Sequence, residues 1–195
     1  IWTQRLSYVG ELGFELYIKM DESRETYNLI VDKGKEFNLS HCGMFAMDTM
    51  RMEKGYLHWG HDMSPEENQY EAGLGFAISY KKNINFIGKE ALLKIKNGKI
   101  KKKLITLTLK DSKPGFPLLL HDEPILCDGN IIGRTTSGNY SFNYKTNMSF
   151  GYIRTNSINE DLANKNLSIQ VEKKIYDVDI QIKPLHDPEN KNMRH

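Results

Sequence analysis

The sequence predicts an α+β protein in which a part containing helices comes first and a part built of strands follows. Before residue 97, apolar residues recur mainly at helical spacing, and after the lysine-rich run Lys94–Lys103 they alternate as in strands. Hydrophobic residues make up 39% and charged residues 27% of the chain, as in globular proteins. We therefore expect a boundary near Asn97–Lys103, with a core on either side of it.

The first predicted element is a strand that its own glycines interrupt. The run Tyr8–Ile18 reads YVGELGFELYI and lies within a longer strand-like stretch. Gly10 and Gly13 bracket Glu11, and glycines inside a strand mark a bend or bulge. A surface strand accounts easily for one glutamate, but this run also contains Glu15. The pattern indicates a backbone bend that turns an acid towards something bound.

Helices and a short strand complete the first part. Asp21 or Ser23 can provide the N-cap of the first helix, and Gly55 suits the C-terminal cap of the second. The methionines of the second helix are expected to fill the core. In chain order we expect a helix over about Glu22–Phe37, a helix over about Met44–Lys54 (with Met44, Met47, Met50 and Met52), a loop through HWGHDMSPEENQ, a strand at Leu74–Tyr80 and a helix over IGKEALLKIK.

Six strand-like runs make up the second part. Asp128-Gly129 stands between the second and third runs, and this dipeptide is a strong signal for a tight hairpin. Six strands at this spacing indicate a small antiparallel barrel or a sandwich. The runs are LITLTL, PLLL with PILC, IIGRTTS, MSFGYIR, NLSIQVE and IYDVDIQI (Ile175–Ile182), and the polar stretch PLHDPENKNMRH follows them.

Composition argues against several classes of function. No apolar run reaches about 18 residues, so we expect no membrane span. The net charge of +2 is too small to imply a nucleic-acid partner, and Lys94–Lys103 has no aromatic residues to stack on bases. Cys42 and Cys127 are far apart, which fits a reducing compartment, and we expect the cytoplasm or, in a eukaryote, the mitochondrial matrix. Because Ile1 opens the chain with no signal-peptide pattern after it, we expect a piece of a longer protein.

Familiar catalytic patterns are missing from the sequence. His58 and His61 are three residues apart, but no third ligand stands nearby, so we expect no metal site. The GLGF run at Gly73–Phe76 is too short for a phosphate-binding loop. TTSG at Thr135–Gly138 lacks the nucleophile-elbow pattern. We find no nucleophile–base pair.

Six segments, in order and across nearly the whole chain, resemble the folate-dependent aminomethyltransferase family, which includes the glycine cleavage T-protein. Within that family the chain is most similar to the C-terminal folate-binding part of dimethylglycine and sarcosine dehydrogenases, because EKGYLHWGHD and DPENKNMR have their form. Met47 stands where glycine cleavage proteins have arginine, and NINFIGKEAL lacks the cysteine of the iron–sulfur assembly branch. The segments are RLSYVGELGFELYI, AMDTMRMEKGYLHWGHDM, NQYEAGLGFAI, FIGKEALL, IIGRTTSG and LHDPENKNMR.

The resemblance implies both a fold and a function. Residues 1–98 would be the C-terminal part of a folate-binding domain, residues 99–185 a β-barrel domain, and residues 186–195 a tail. In such dehydrogenases an N-methyl amine is oxidised, and tetrahydrofolate takes up its one-carbon unit as 5,10-methylenetetrahydrofolate. We expect tetrahydrofolate as cofactor here, with FAD in a missing N-terminal domain, and folate and a methylated amine as small-molecule partners.

Two other readings stay open. One is a stand-alone aminomethyltransferase of the glycine cleavage system or a folate-dependent demethylase, and the other is a non-catalytic folate-binding scaffold. By resemblance the family's catalytic aspartate lies upstream, so we expect no catalytic residue in this chain, which alone should be inactive.

Tyr8 and Glu15 match folate-contacting positions of the family. A carboxylate can accept the 2-amino group and the neighbouring ring N–H of a pterin, while a tyrosine can hydrogen-bond the ligand and pack against it. Residues seven apart lie on opposite faces of a strand, so a bend at Gly10–Gly13 would have to bring the two together. Glu11 would belong to that bend, capping it or pairing with Arg5.

Several other residues have weaker claims to a site. Trp59 is a third candidate for folate binding, either as a wall of the pocket or as a buried residue that holds its loop. Arg51 and Glu53 are expected to form a structural ion pair, and Asp62 to fix the WGHD turn. Arg134 fits a solvated strand arginine better than a contact to the glutamate tail of folate.

Overall fold

The structure is a computed structural model that describes residues 1–82, 84–154, 165–181 and 183–194. Internal contacts divide the chain into two units. Unit 1 contains residues 1–56 and 185–195, and unit 2 contains residues 57–184. The boundaries expected at residues 98 and 185 come from sequence pattern and resemblance, and they stay a prediction.

Unit 1 consists of a short antiparallel hairpin followed by helices. The strands pair from Trp2↔Tyr17 to Gln4↔Glu15. The elements are β1 (Trp2–Gln4), β2 (Glu15–Tyr17), α1 (Met20–Gly34) with a 3-10 turn at Lys35–Phe37, and α2 (Met44–Glu53).

The predicted strand around Tyr8–Ile18 is shorter than expected. Only Glu15–Tyr17 pairs as a strand, and residues 5–14 form a loop back to β1. Gly10 has a φ of +78°, a left-handed conformation that breaks a strand and that glycine adopts most readily. The bend inferred from the glycines is therefore present, and it extends over the whole β1–β2 loop.

The two helices of unit 1 differ in how well their ends were predicted. Helix α1 begins at Met20 after Lys19, with no side-chain cap, and the Ser23 hydroxyl donates to the carbonyl of Met20. The capping role of Asp21 or Ser23 is therefore wrong, because both residues lie inside the first turn. Helix α2 ends at Glu53 with Lys54 as C-cap, and Gly55, with a φ of +79°, follows as the C′ residue, as predicted.

The methionines of α2 do not all fill a core. Met52 is 1% exposed, as expected, but Met44 is 72% exposed. Met47 and Met50 are half-buried. The expectation was wrong for Met44 because it opens the helix, where no element of the described part packs over it.

Unit 2 begins with irregular structure. The strand predicted at Leu74–Tyr80 is wrong: Gly75–Ala77 is a 3-10 turn, and the N–H of Ala77 donates to the carbonyl of Leu74. A short apolar run fits several local structures, which explains the error. Helix α3 covers Lys89–Asn97, close to its prediction. None of the helices in the described ranges has the length and apolar character to cross a membrane.

A closed antiparallel barrel forms the rest of unit 2 and decides between barrel and sandwich. The strand order is β3-β6-β5-β4-β7-β8, and β3 also pairs with β8, so the sheet has no free edge. Ile182, the last residue of the final predicted strand, lies outside the described residues. The strands are β3 (Lys102–Leu109), β4 (Pro124–Cys127), β5 (Asn130–Ser141), β6 (Thr146–Arg154), β7 (Leu167–Val171) and β8 (Lys174–Gln181).

Alternation along these strands fills the barrel with aliphatic side chains. Leu107, Ile125, Ile153 and Ile169 are 0% exposed. Asp128-Gly129 is the two-residue turn between β4 and β5, and its φ angles of +48° and +80° are those of a type I′ hairpin. The hairpin prediction is confirmed.

Candidate ligand-binding site

One face of the β1–β2 hairpin carries a carboxylate beside two exposed aromatic rings. Because side chains alternate along strands, the register places Trp2, Gln4, Glu15 and Tyr17 on the same face. The rings of Trp2 and Tyr17 lie 5.2 Å apart, centroid to centroid. They are 63% and 47% exposed and tilted by 36° to each other, so both rings present apolar surface to solvent.

The carboxylate of Glu15 is oriented by its neighbour on the strand. The Tyr17 hydroxyl donates to Oε2 of Glu15 at 2.8 Å. This hydrogen bond, together with the negative charge of Glu15, raises the pKa of Tyr17 above its ordinary 10.0. A carboxylate has lone pairs for about four hydrogen bonds, so Glu15 has the capacity to accept two more N–H groups from a ligand.

Tyr8 lies in the β1–β2 loop and stacks on Tyr56, three residues after the end of α2. Its ring lies 6.2 Å from that of Tyr56 at an angle of 11°. The Tyr56 hydroxyl donates to the sulfur of Met193 at 3.2 Å, and burial raises the pKa of Tyr56. The structure thus places Tyr8 with Tyr56 and Glu15 with Tyr17. That Tyr8 and Glu15 share one ligand stays a prediction.

The contacts of Glu11 differ from those expected. Oε1 of Glu11 lies 2.6 Å from Nε2 of His186, whereas the guanidinium of Arg5 donates to the carbonyl of Met193 at 3.1 Å. The pairing of Glu11 with Arg5 is therefore wrong. Both residues instead contact the segment Leu185–Arg194, which returns to unit 1 after unit 2 and which we call the returning segment.

A buried ion pair joins α2 to the returning segment. Nζ of Lys54 lies 2.9 Å from Oδ2 of Asp187, and these side chains are 2% and 6% exposed. Partial burial works to raise the pKa of Asp187, but hydrogen bonds from Lys54 and from the backbone N–H groups of Lys191 and Asn192 outweigh it. The pKa of Asp187 is therefore held below its ordinary 3.8.

In unit 2, Asp62 holds a turn and a strand together. It is 0% exposed. Its carboxylate accepts the backbone N–H of His58 at 2.9 Å and the hydroxyls of Thr136 and Ser137 at 2.6 and 2.7 Å. The hydroxyl of Tyr152 donates to the carbonyl of Asp62 at 2.8 Å. Asp62 fixes the WGHD turn, as predicted, and it also ties that turn to β5.

Unit 2 also contains a polar cavity of about 500 Å³ beside the outer surface of β5 and β6. The ammonium of Lys102 lies over the ring of Tyr152 at 5.0 Å and donates to Glu67. Burial works to raise the pKa of Glu67, but hydrogen bonds from Lys102 and Ser64 outweigh it and lower that pKa. On this wall Lys102 pairs with Glu67, and Arg134 pairs with Asp122.

Trp59 and the two histidines show no built site. Trp59 is 63% exposed, so its reading as a buried residue is wrong, and the cavity is lined by its neighbours Gly60 and His61. The rings of His58 and His61 stack 4.5 Å apart. No cluster of three metal-binding side chains occurs within the residues that the structure describes.

The arginines have structural partners. Arg134 donates to Asp122 at 2.9 Å with its side chain 72% exposed, as expected for a solvated strand arginine. Arg51 donates to Asp48 at 2.8 Å and to the carbonyl of Tyr56 at 3.2 Å. Arg51 and Glu53 are each 2% exposed. Their predicted pairing with each other stays a prediction.

Sequence reasoning missed Trp2, Tyr17, Lys54 and Asp187. Tyr17 carries a usable signal, because it stands two residues after Glu15 and strand alternation puts both on one face. Trp2 reaches the site through strand pairing, and Asp187 through a contact across 133 residues. Nothing local in the sequence indicates either contact.

Comparisons with known proteins agree with this fold. The family model "GCVT N-terminal domain" matches residues 1–82, and "Glycine cleavage T-protein C-terminal barrel domain" matches residues 102–187. Glycine cleavage system aminomethyltransferase T from Bartonella henselae superposes with a TM-score of 0.80 at 21% identity, over 95% of this chain and 50% of that one. At this identity the superposition supports the fold alone.

Curated relatives extend the comparison. The chain is 33% identical over 193 residues to 4-methylaminobutanoate oxidase (formaldehyde-forming) of Paenarthrobacter nicotinovorans, covering 99% of this chain and 23% of the relative. It is 38% identical to mitochondrial dimethylglycine dehydrogenase of Homo sapiens, covering 76% and 17%. It is 39% identical to an aminomethyltransferase of Halothermothrix orenii, covering 77% and 41%. The chain thus spans less than half the length of each.

Proposed function

The chain belongs to the glycine cleavage T-protein family, and we propose that it is the tetrahydrofolate-binding part of an enzyme that transfers one-carbon units from amines. The observation that carries this proposal is the hairpin face with Glu15 beside Trp2 and Tyr17. It combines an oriented carboxylate with an exposed aromatic surface. Both features suit a planar ligand that has neighbouring N–H donors.

The chemistry of the pterin ring fits these residues. Its 2-amino group and adjacent ring N–H point the same way, so the carboxylate of Glu15 can accept both in a fork. The rings of Trp2 and Tyr17 offer faces for stacking. The hydrogen bond from Tyr17 restricts the rotation of the Glu15 carboxylate, which reduces the entropy lost when the ligand binds. Tyr8, in the β1–β2 loop that precedes Glu15, is the second proposed folate contact. Trp59 is the third candidate, with the least support.

This chain would contribute to catalysis by positioning tetrahydrofolate relative to the oxidised amine. Holding the folate amine next to the oxidised methyl group makes the transfer effectively intramolecular, and excluding water prevents release of formaldehyde. FAD, when bound by another part of the protein, would supply the oxidation of the amine. The residues described here would bind and orient tetrahydrofolate, the acceptor of the one-carbon unit.

We favour a dimethylglycine- or sarcosine-dehydrogenase-like parent that forms 5,10-methylenetetrahydrofolate, located in the cytoplasm or mitochondrial matrix. The match to the oxidase covers 99% of this chain and a match to sarcosine dehydrogenase of Mus musculus covers 97%, whereas the matches to dimethylglycine dehydrogenase and to the aminomethyltransferase cover 76% and 77%. Coverage therefore supports the sarcosine-dehydrogenase-like form of the parent. Met47, at the position of a glycine cleavage arginine, supports the same branch. The alternative is a stand-alone aminomethyltransferase or folate-dependent demethylase.

The fate of the one-carbon unit tests this function in the protein that carries the chain. With dimethylglycine or sarcosine and tetrahydrofolate, the wild type should yield mainly 5,10-methylenetetrahydrofolate. Glu15→Gln should release more free formaldehyde at an unchanged rate of amine consumption, because only folate placement is impaired. Formaldehyde trapping and chromatography of the folates measure the ratio.

The same experiment has outcomes that count against the proposal. If adding tetrahydrofolate to the wild type does not change the amount of free formaldehyde released, the folate-binding role is excluded. Absence of amine oxidation, together with folate-dependent release of ammonia from an aminomethyl donor, would favour the aminomethyltransferase alternative.

A further inference from the structure

We propose that the returning segment positions the β1–β2 loop for ligand binding, with Asp187 and His186 as positioning residues. This inference rests on the proposed function, because it assigns the segment a role at the proposed folate site. The supporting observation is a cluster of three dipeptides that lie far apart in the sequence and contact one another in the fold. The dipeptides are Gly10–Glu11, Glu53–Lys54 and His186–Asp187, and each contacts the other two.

The first link fixes Lys54 at the centre of the cluster. Its ammonium donates both to the side-chain Oδ2 of Asp187 at 2.9 Å and to the main-chain carbonyl of the same residue at 2.6 Å. Asp187 in turn accepts the backbone N–H groups of Lys191 and Asn192 at 2.7 and 3.2 Å. Two acceptors on one residue leave the Lys54 side chain little freedom to move.

The conformation of Asp187 also indicates a selected geometry. Its φ is +40°, a left-handed conformation that is uncommon for a residue other than glycine. A buried ion pair usually adds little net stability over apolar residues of the same size. Its contribution here is to specify one arrangement of the returning segment.

The second link connects Lys54 to the loop. The Cγ and Cδ atoms of Lys54 lie so close under Gly10 that a Cβ on Gly10 would be 2.7 Å from each. The loop backbone therefore rests directly on the lysine stem. Because the ion pair fixes the position of that stem, it also fixes where the loop backbone packs at the C-terminal end of α2.

The third link runs from the returning segment to the loop itself. Nε2 of His186 lies 2.6 Å from Oε1 of Glu11, and the backbone N–H of His186 donates to the carbonyl of Glu53 at 2.9 Å. Met193 accepts from Arg5, at the start of the loop, and from Tyr56, on which Tyr8 stacks. The returning segment thus contacts the loop before and after Tyr8.

The test is Asp187→Asn in the protein that carries this chain, with Glu189→Gln as matched control. Glu189 lies in the same segment, and its ion pair with Lys191 is exposed. Asp187→Asn should weaken reduced-folate binding roughly tenfold, equivalent to about 1.4 kcal/mol. Amide hydrogen exchange of residues 8–14 should accelerate while exchange of strand β6 stays unchanged. Glu189→Gln should change neither quantity.

A second variant covers the case in which Asp187→Asn does not fold. Lys54→Met keeps an unbranched stem beneath Gly10 but removes the ammonium, and we expect the same two changes. Unchanged folate affinity and unchanged exchange of residues 8–14 in a folded variant would overturn the positioning role.

The two proposals can fail separately. If the wild type binds no reduced folate, the proposed function fails, and the exchange measurement still decides whether the returning segment holds the loop. If Glu15→Gln weakens binding but Asp187→Asn and Lys54→Met do not, the function stands and the positioning role is excluded.

Discussion

Glu15 and Asp187 show two ways in which a carboxylate obtains its geometry. Glu15 receives a hydrogen bond from Tyr17, a neighbour that strand alternation places on the same face. Asp187 pairs with Lys54 across 133 residues of sequence. The first arrangement can be read from the sequence once the strand is known, but the second requires the folded chain.

At this scale the buried pair makes stability depend on pH. The folded-state pKa of Asp187 lies below 3.8, so the folded chain binds this proton more weakly than the unfolded chain does. The contribution of the pair is therefore complete above about pH 4, the ordinary pKa of aspartate, and it is lost as the pH falls through the lowered folded value. Urea unfolding of wild type and Asp187→Asn between pH 3 and pH 6 measures it.

We expect the difference in unfolding free energy between the two proteins to stay constant from pH 6 to about pH 4 and to shrink as the pH falls from about 4 to 3. Parallel curves at all pH values would show that the carboxylate of Asp187 is not stabilised by its partners.

At the scale of elements, the β1–β2 loop depends on a glycine for two separate reasons. Gly10 has a φ of +78°, and a Cβ there would lie 2.7 Å from the Lys54 stem. Gly73 has a φ of +74°, and a Cβ there would meet nothing within 4 Å. An alanine at either position would therefore have a strained backbone, but only an alanine at Gly10 would also clash with the side chain of Lys54.

We expect Gly73→Ala to lower the unfolding free energy by about 1 kcal/mol, the usual cost of a left-handed alanine. Gly10→Ala should cost more, by a further 1–3 kcal/mol, roughly the penalty of overpacking. Chemical denaturation of both variants measures the difference. Equal losses at the two positions would mean that the loop can move away from Lys54.

The elements that sequence predicted best are those with local causes. The barrel strands follow from alternation, the β4–β5 hairpin from Asp128-Gly129, and the end of α2 from Gly55. Prediction failed where the structure of a segment depends on strand pairing or on packing against residues distant in sequence. The loop before β2 looked like strand because its apolar residues alternate, and Met44 looked like core because methionine usually is.

At the scale of the whole molecule, much apolar surface of unit 1 is exposed. Met20, Phe37 and Phe45 are 92%, 81% and 90% exposed. The chain spans at most 41% of the length of the curated relatives described above. The bend was predictable from the glycines, and Glu15 was indicated by resemblance and stays a proposal. The aromatic wall beside it and the returning segment depend on contacts between residues that are distant in sequence.

The most direct test of the folate assignment is the affinity of the whole protein for a reduced folate, measured by calorimetry for wild type, Glu15→Gln and Glu36→Gln. Glu15→Gln keeps the size of the side chain but removes its charge and one of two acceptors. We predict a loss of about 1.5–3 kcal/mol, roughly tenfold to over a hundredfold in Kd. Glu36→Gln, on an exposed helical turn, should bind like the wild type. Wild-type affinity in Glu15→Gln, or an equal loss in Glu36→Gln, would contradict the assignment of Glu15 to the ligand.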